Sequence, residues 1–380
     1  MSAAPDRCLE EILGQPDAFR RAAGAMAEQS GVLADLAALA EPRPLVLAGM
    51  GSSYDACLAA AAVLGAGGIL ATPVEAAELL HVRLPALVDG GLLLIVSQSG
   101  ASAEIVRLAE AVRALPRRPS VLAITNGVRT PLAARADLAL DTAVGPETCP
   151  STMTFAGALV ALAAVAGILG AARGAVAALA GMPGASRRPA AATPDPGAVV
   201  AAVLGEVGPA AESAAGAAAE LLAAPDAGGA RLAAWLGARR TIVALGRGTG
   251  LAAAEMAVLT LQEVAGLAAT ALPTAEFRHG PQEIVGPDVA VVLFSLEPAT
   301  EALDRAFAAE LAAAGAGVLL VGPADPALPG VEPVTVGGPR GLLAPGVALV
   351  PIQLLARRIA HARGRRPGVL THAAKVTIRE

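Results

Sequence analysis

An internal repeat constrains this chain more than any other feature. Leu45-Val-Leu-Ala-Gly-Met-Gly51 recurs as Ile242-Val-Ala-Leu-Gly-Arg-Gly248, offset by 197 residues, and each copy runs into an Ala-rich stretch. The run at 93–97 recurs at 291–295 with nearly the same spacing. A short apolar run, a glycine turn and a helix, used twice, predict two fused copies of one doubly wound, flavodoxin-like α/β domain with a parallel sheet. Further apolar runs at 92–96, 121–125, 138–140, 241–245, 289–294 and 318–321 alternate with helical stretches, as βαβ units require. At 380 residues the chain exceeds the size at which one core stops growing. Residues 1–182 are therefore expected as one domain and 198–380 as the second. The Pro-rich, aperiodic stretch 183–197 is the expected linker.

Charge and composition narrow the function class. The net charge is −5, and no run of Lys or Arg exceeds two residues, so there is no electrostatic footprint for nucleic acid or anionic lipid. Residues 155–172 carry no charge and reach the length of a membrane span, but they are rich in Ala and Gly, so a buried helix is expected instead. Cys8, Cys57 and Cys149 are far apart and odd in number, which fits neither a disulfide framework nor metal-ligand spacing. The first residues include Asp6, Arg7, Glu10 and Glu11 and no apolar stretch, so a secretory signal is not expected and the location read is cytoplasmic.

Polar clusters fall at the ends of the predicted strands. Gly49-Met-Gly-Ser52-Ser53-Tyr54 turns from strand to helix and offers backbone N–H groups and hydroxyls to an anion. A dinucleotide fingerprint would need glycine where Tyr54 stands. Ser97-Gln98-Ser99-Gly100-Ala101-Ser102 places three hydroxyls and an amide at a second helix start, more donors than capping requires. Such donors suit a phosphate monoester. The equivalent stretch of the second copy reads Ser295-Leu-Glu297-Pro, where donors are lost, so one phosphate site is expected, in the first copy. The patch 147–152, containing Ser151, reads equally as a capping turn or as part of the pocket.

Three more groups suit proton transfer. Glu263 lies on the predicted helix after Gly248, and His279 precedes Gly280-Pro281 in a loop; a solvated glutamate and a turn histidine are the plain alternatives. Lys375 is the single lysine among 28 Lys and Arg residues, which marks a position where an amine that can lose its proton was kept.

Taken together, Gly51-Ser-Ser-Tyr54, Ser97-Gln-Ser-Gly100, Ser151-Thr152, Gly246-Arg-Gly248, Glu263, Glu276-x-x-His279-Gly-Pro281 and Ala374-Lys375 resemble the tandem sugar isomerase (SIS) domain family. That family includes the isomerase half of glucosamine-6-phosphate synthase and stand-alone amino-sugar-phosphate deaminases and fructosamine-phosphate deglycases. The resemblance implies that Ser53, Ser97, Gln98, Ser99 and Ser102, with Ser52 beside them, hold a sugar phosphate and that Ser151 lies near its hydroxyls. It implies Glu263 as the C1–C2 proton shuttle, His279 as the ring-opening group donated across a homodimer, and Lys375 as the tail residue at the sugar carbonyl. No metal or cofactor is implied.

Two departures stand out: Ser2 occupies the place of a glutaminase cysteine, and Thr260 that of a family lysine. A glutamine-independent amino-sugar-phosphate deaminase/isomerase is the expected activity. A fructosamine-phosphate deglycase and a non-catalytic sugar-phosphate sensor are the alternatives.

Overall fold

The computed structural model describes residues 6–39, 44–87, 91–172, 195–323 and 327–377. Most of the expected linker, 183–194, lies outside them. Ten strands form two sheets: β1 Leu45–Gly49, β2 Ala71–Glu75, β3 Leu92–Val96, β4 Ser120–Thr125 and β5 Leu138–Asp141 in one, and β6 Thr241–Gly246, β7 Ala269–Pro273, β8 Val289–Phe294, β9 Gly317–Gly322 and β10 Val331–Thr335 in the other. All pairings are parallel. The strand orders, β2-β1-β3-β4-β5 and β7-β6-β8-β9-β10, are the same doubly wound order. The two-copy α/β fold expected from the repeat is therefore the fold observed.

The chain divides into two compact units. One, containing β1–β5, is made of residues 17–146, 154–212 and 376–380; the other, containing β6–β10, is made of residues 1–16, 147–153 and 213–375.

In the β1–β5 unit the core is built from β1, β3 and β4 with the buried face of the helix Ala103–Arg113, including Leu93, Ile95, Ile105, Leu108 and Val121. The β6–β10 unit repeats the arrangement with Val243, Leu245, Val291, Leu293, Phe307 and Leu311. Strands buried on both faces read as continuous apolar runs, which is why these positions are legible.

The edge strands differ. β2, β7 and β10 are only partly buried and each contains a proline, Pro73, Pro273 or Pro333. Proline is confined to sheet edges because it cannot donate to the ladder. The same residue reads as a breaker in the sequence, and these three strands were not expected.

Met153–Ala172, Pro196–Leu221 and Gly341–Ala362 are long and apolar enough to cross a membrane. In Met153–Ala172, which contains the uncharged stretch 155–172, 89% of the most apolar window is buried, as a core helix requires.

Candidate active site

In the β1–β5 unit the order of strands reverses between β1 and β3, which pair side by side. The turns that leave these two strands are the two polar clusters, so both emerge at the carboxyl ends of adjacent strands, where ligands of open α/β sheets gather. After β1, Gly51 caps the helix Ser52–Ala66 with φ 52°, a left-handed backbone that favours glycine. Its N-cap residue, being glycine, has no side chain with which to cap the helix. After β3, the Ser97 Oγ accepts from Gly100 N at 3.2 Å and the Ser99 Oγ from Ala101 N at 3.2 Å, so two hydroxyls shape the loop. Ser102 sits at the N-cap of Ala103–Arg113 and makes no capping bond. Among the described residues, Ser52, Ser53, Gln98 and Ser102 make no side-chain hydrogen bond. The Ala103 N–H at this helix start donates to the Thr377 carbonyl at 2.9 Å.

The second copy shows what happens when such a cradle is filled from within. Gly248 caps Thr249–Thr260 with φ 53°, matching Gly51. Here the Glu297 carboxylate occupies the helix start, accepting from Thr249 N at 2.8 Å and Thr249 Oγ1 at 2.7 Å. Arg247 pairs with the buried Asp304 beside it. A carboxylate held by the helix-start N–H and hydroxyl of Thr249 stands where an external anion would sit. The residue of the first copy that aligns with Glu297 is Ser99, so that loop supplies a hydroxyl in place of the carboxylate.

The acid–base residues collect in the β6–β10 unit. Thr249–Thr260 runs on into a single π-helical turn, Leu261–Ala265, which ends at the left-handed Gly266. Such π turns are widened insertions that recur at functional sites. Glu263 is on this turn and half-buried. Burial pushes its carboxyl above the ordinary glutamate range; the nearby Glu147 charge adds to the rise and Lys375 opposes it.

Lys375 Nζ donates to Glu147 Oε2 at 2.9 Å and to the Cys149 carbonyl. The Glu147 side chain is 0% exposed and that of Lys375 25%. The other Glu147 oxygen accepts from Thr152 N at 2.8 Å and Thr152 Oγ1 at 3.0 Å, so the carboxylate is fully engaged. The single lysine is thus bound to one carboxylate and within electrostatic reach of another. Glu147 was not among the residues singled out individually. Its only sequence signal was its place in the 147–152 patch, where its carboxylate accepts from Thr152 and also receives Lys375. Ser151 lies on the same turn and is half-exposed.

Thr260, where the family lysine was expected, is buried and its hydroxyl donates back to the Met256 carbonyl at 2.8 Å. It offers no proton donor to Glu263 in this arrangement. His279 is not drawn into the Glu263 group. It lies exposed on the loop after β7, its N–H donates to the Glu276 carbonyl at 2.9 Å, and its ring makes no hydrogen bond among the described residues.

Comparison with known proteins gives this geometry its context. The SIS domain model matches residues 38–166 and 236–322, which include both polar turns and the Glu263 turn. The chain is 31% identical over 376 residues to the glutamine–fructose-6-phosphate aminotransferase (isomerizing) of Pyrobaculum aerophilum, covering 98% of this chain and 57% of that relative's length. Among solved structures it is similar to the C-terminal domain of glucosamine-fructose-6-phosphate aminotransferase from Francisella tularensis, with a TM-score of 0.77 and 20% identity over 95% of this chain and 98% of that one. It is also similar to glucosamine-6-phosphate deaminase from Thermotoga maritima, with a TM-score of 0.64 and 18% identity over 94% and 99%. At those identities the two structures attest the fold alone. The family match covers more than half of the chain and the Pyrobaculum relative nearly all of it: this chain belongs to the SIS domain family.

Proposed function

We propose that the protein is a glutamine-independent amino-sugar-phosphate deaminase/isomerase, turning an aldose such as glucosamine 6-phosphate or galactosamine 6-phosphate into a ketose 6-phosphate and ammonia. The observation that carries this reading is the Glu263 carboxyl, raised by burial and lying in the field of the Lys375–Glu147 ion pair. A carboxyl tuned upward is a better proton acceptor than an ordinary glutamate and can return the proton it takes, which a purely binding site would not need. A glucosamine-6-phosphate deaminase among the structural neighbours is consistent with the reading.

In this proposal Ser52, Ser53, Ser97, Gln98, Ser99 and Ser102 bind the phosphate. The helix start at Ser52, whose glycine N-cap offers no side chain, supports that role. Ser151 contacts the sugar hydroxyls, and His279 opens the ring. Glu263 then takes the C2 proton and returns it to C1, converting the 2-amino aldose into a 2-imino compound through an enolamine. Water adds to that imine carbon, ammonia leaves, and the ketose phosphate remains. The Lys375 ammonium supplies positive charge at the developing oxyanion, and Glu147 keeps it placed. His279 acts from one subunit of a homodimer on the site of the other; its exposed, unengaged ring supports that role. The three cysteines are free thiols, in keeping with a cytoplasmic enzyme.

The test is ammonia release, followed by a coupled assay, from glucosamine, galactosamine and fructosamine 6-phosphates. Ammonia from an aminohexose phosphate without added glutamine is expected. Turnover of only an N-substituted fructosamine phosphate would replace the reading with a deglycase. Sugar-phosphate binding with no turnover of any substrate would replace it with a sensor.

A further inference from the structure

We propose that Cys8 and Cys149 are a disulfide-forming pair, an oxidation site that fixes the loop holding Lys375. Separated by 141 residues, they do not read as partners in the sequence. The structure brings them together through a third residue. Cys8 and Glu11 are both buried on the helix Arg7–Leu13, three positions apart and so on one face. The Glu11 carboxylate accepts from Thr148 N at 2.7 Å, Thr148 Oγ1 at 2.8 Å and Cys149 N at 3.0 Å. This three-point attachment holds the 148–149 backbone against the helix and leaves the two thiols in mutual hydrogen-bond contact.

The thiols are not equivalent. The Cys8 hydrogen bond lowers the Cys149 thiol, and the same contact and burial push Cys8 upward. Cys149 is therefore the nucleophile and Cys8 the resolving thiol. With a peroxide as oxidant, the Cys149 thiolate attacks one oxygen, the O–O bond breaks and Cys149 becomes a sulfenic acid. The Cys8 sulfur then attacks that sulfur, the S–S bond forms, and hydroxide leaves and takes up the Cys8 proton as water. Two thiols lose two electrons and the peroxide is reduced to two waters.

The link has a direct route to the acid–base group. The Cys149 carbonyl receives the Lys375 ammonium, so anchoring Cys149 to the helix anchors one of the two acceptors of that amine. The C-terminal segment covers the pair: Gly368 packs on Cys149 so closely that a Cβ there would stand 2.2 Å from its Sγ. The pair is covered, and it reacts when residues near 368 move away. Cys57, buried on Ser52–Ala66 and pushed upward by burial, serves as an internal control.

The experiment treats the full chain with hydrogen peroxide under native conditions, then digests it without reduction for peptide mass spectrometry. A Cys8–Cys149 linked peptide is expected, with free thiols falling from the three present to one. Cys57 stays unmodified and dithiothreitol restores all three. Cys8→Ser should abolish the linked peptide and leave a Cys149 sulfenic acid that a 1,3-dione traps. Absence of the linked peptide from the wild-type chain, or oxidation of Cys57 at the same rate, overturns the proposal.

Discussion

Glu263 experiences opposed influences, and each can be removed separately. Burial and the Glu147 charge raise its carboxyl, while Lys375 lowers it. As the base it acts deprotonated, so the acid limb of kcat/KM should lie above the ordinary glutamate range. Lys375→Met removes the charge that favours the carboxylate and should move that limb to higher pH; Glu147→Gln removes a repelling charge and should move it lower. A limb that stays in place in both variants would mean that another group titrates there. Glu263→Gln should lower kcat by ~10²- to 10⁴-fold while sugar phosphate still raises its melting temperature. Undiminished turnover would remove the shuttle role. Lys375 was legible because it is the single lysine of the chain, whereas Glu263, beside Gln262, reads alone as a solvated glutamate and took its role from the family resemblance. Glu147 was not, since its meaning lies in a contact 228 positions away, and locally it looks like any capping glutamate.

At the scale of the element, the two glycine turns share one backbone and differ in what fills them. Glu297 closes the second with two hydrogen bonds from Thr249, one from the hydroxyl and one from a helix-start N–H that would otherwise be orphaned. Glu297→Ala should cost about 0.5–2 kcal/mol, the usual range for losing a cap, read as a lower urea midpoint with an unchanged m value. A midpoint equal to wild type would show that water satisfies Thr249 equally well. The loss of donors in this stretch was visible in the sequence; that its carboxylate turns inward was not. The strands followed the same division. Central β3, β4, β8 and β9 announce themselves as unbroken apolar runs because both faces are buried, whereas β2, β7 and β10 alternate weakly around a proline. An edge strand needs neither two apolar faces nor all its donors, so its sequence carries little of the strand signal.

For the whole molecule, the open question is assembly, and the position of His279 makes it testable. If each site takes Glu263 from one subunit and His279 from the other, two inactive variants can rebuild a site between them. In a heterodimer of Glu263→Gln and His279→Ala chains, one site receives both intact residues and the other neither. Random pairing of equal amounts makes about half of all dimers mixed, so about a quarter of wild-type sites should return. If His279 instead serves its own subunit, every site in the mixed dimer lacks one residue and no activity returns. Co-expression with two affinity tags, purification through both and the ammonia assay separate the cases, because the doubly tagged fraction is all heterodimer and should reach about half of wild-type turnover per dimer. A monomer in solution would remove the trans role before any mixing. Activity at half the wild-type level would assign the exposed ring of His279 to the neighbouring chain and explain why it has no hydrogen-bond partner among the described residues.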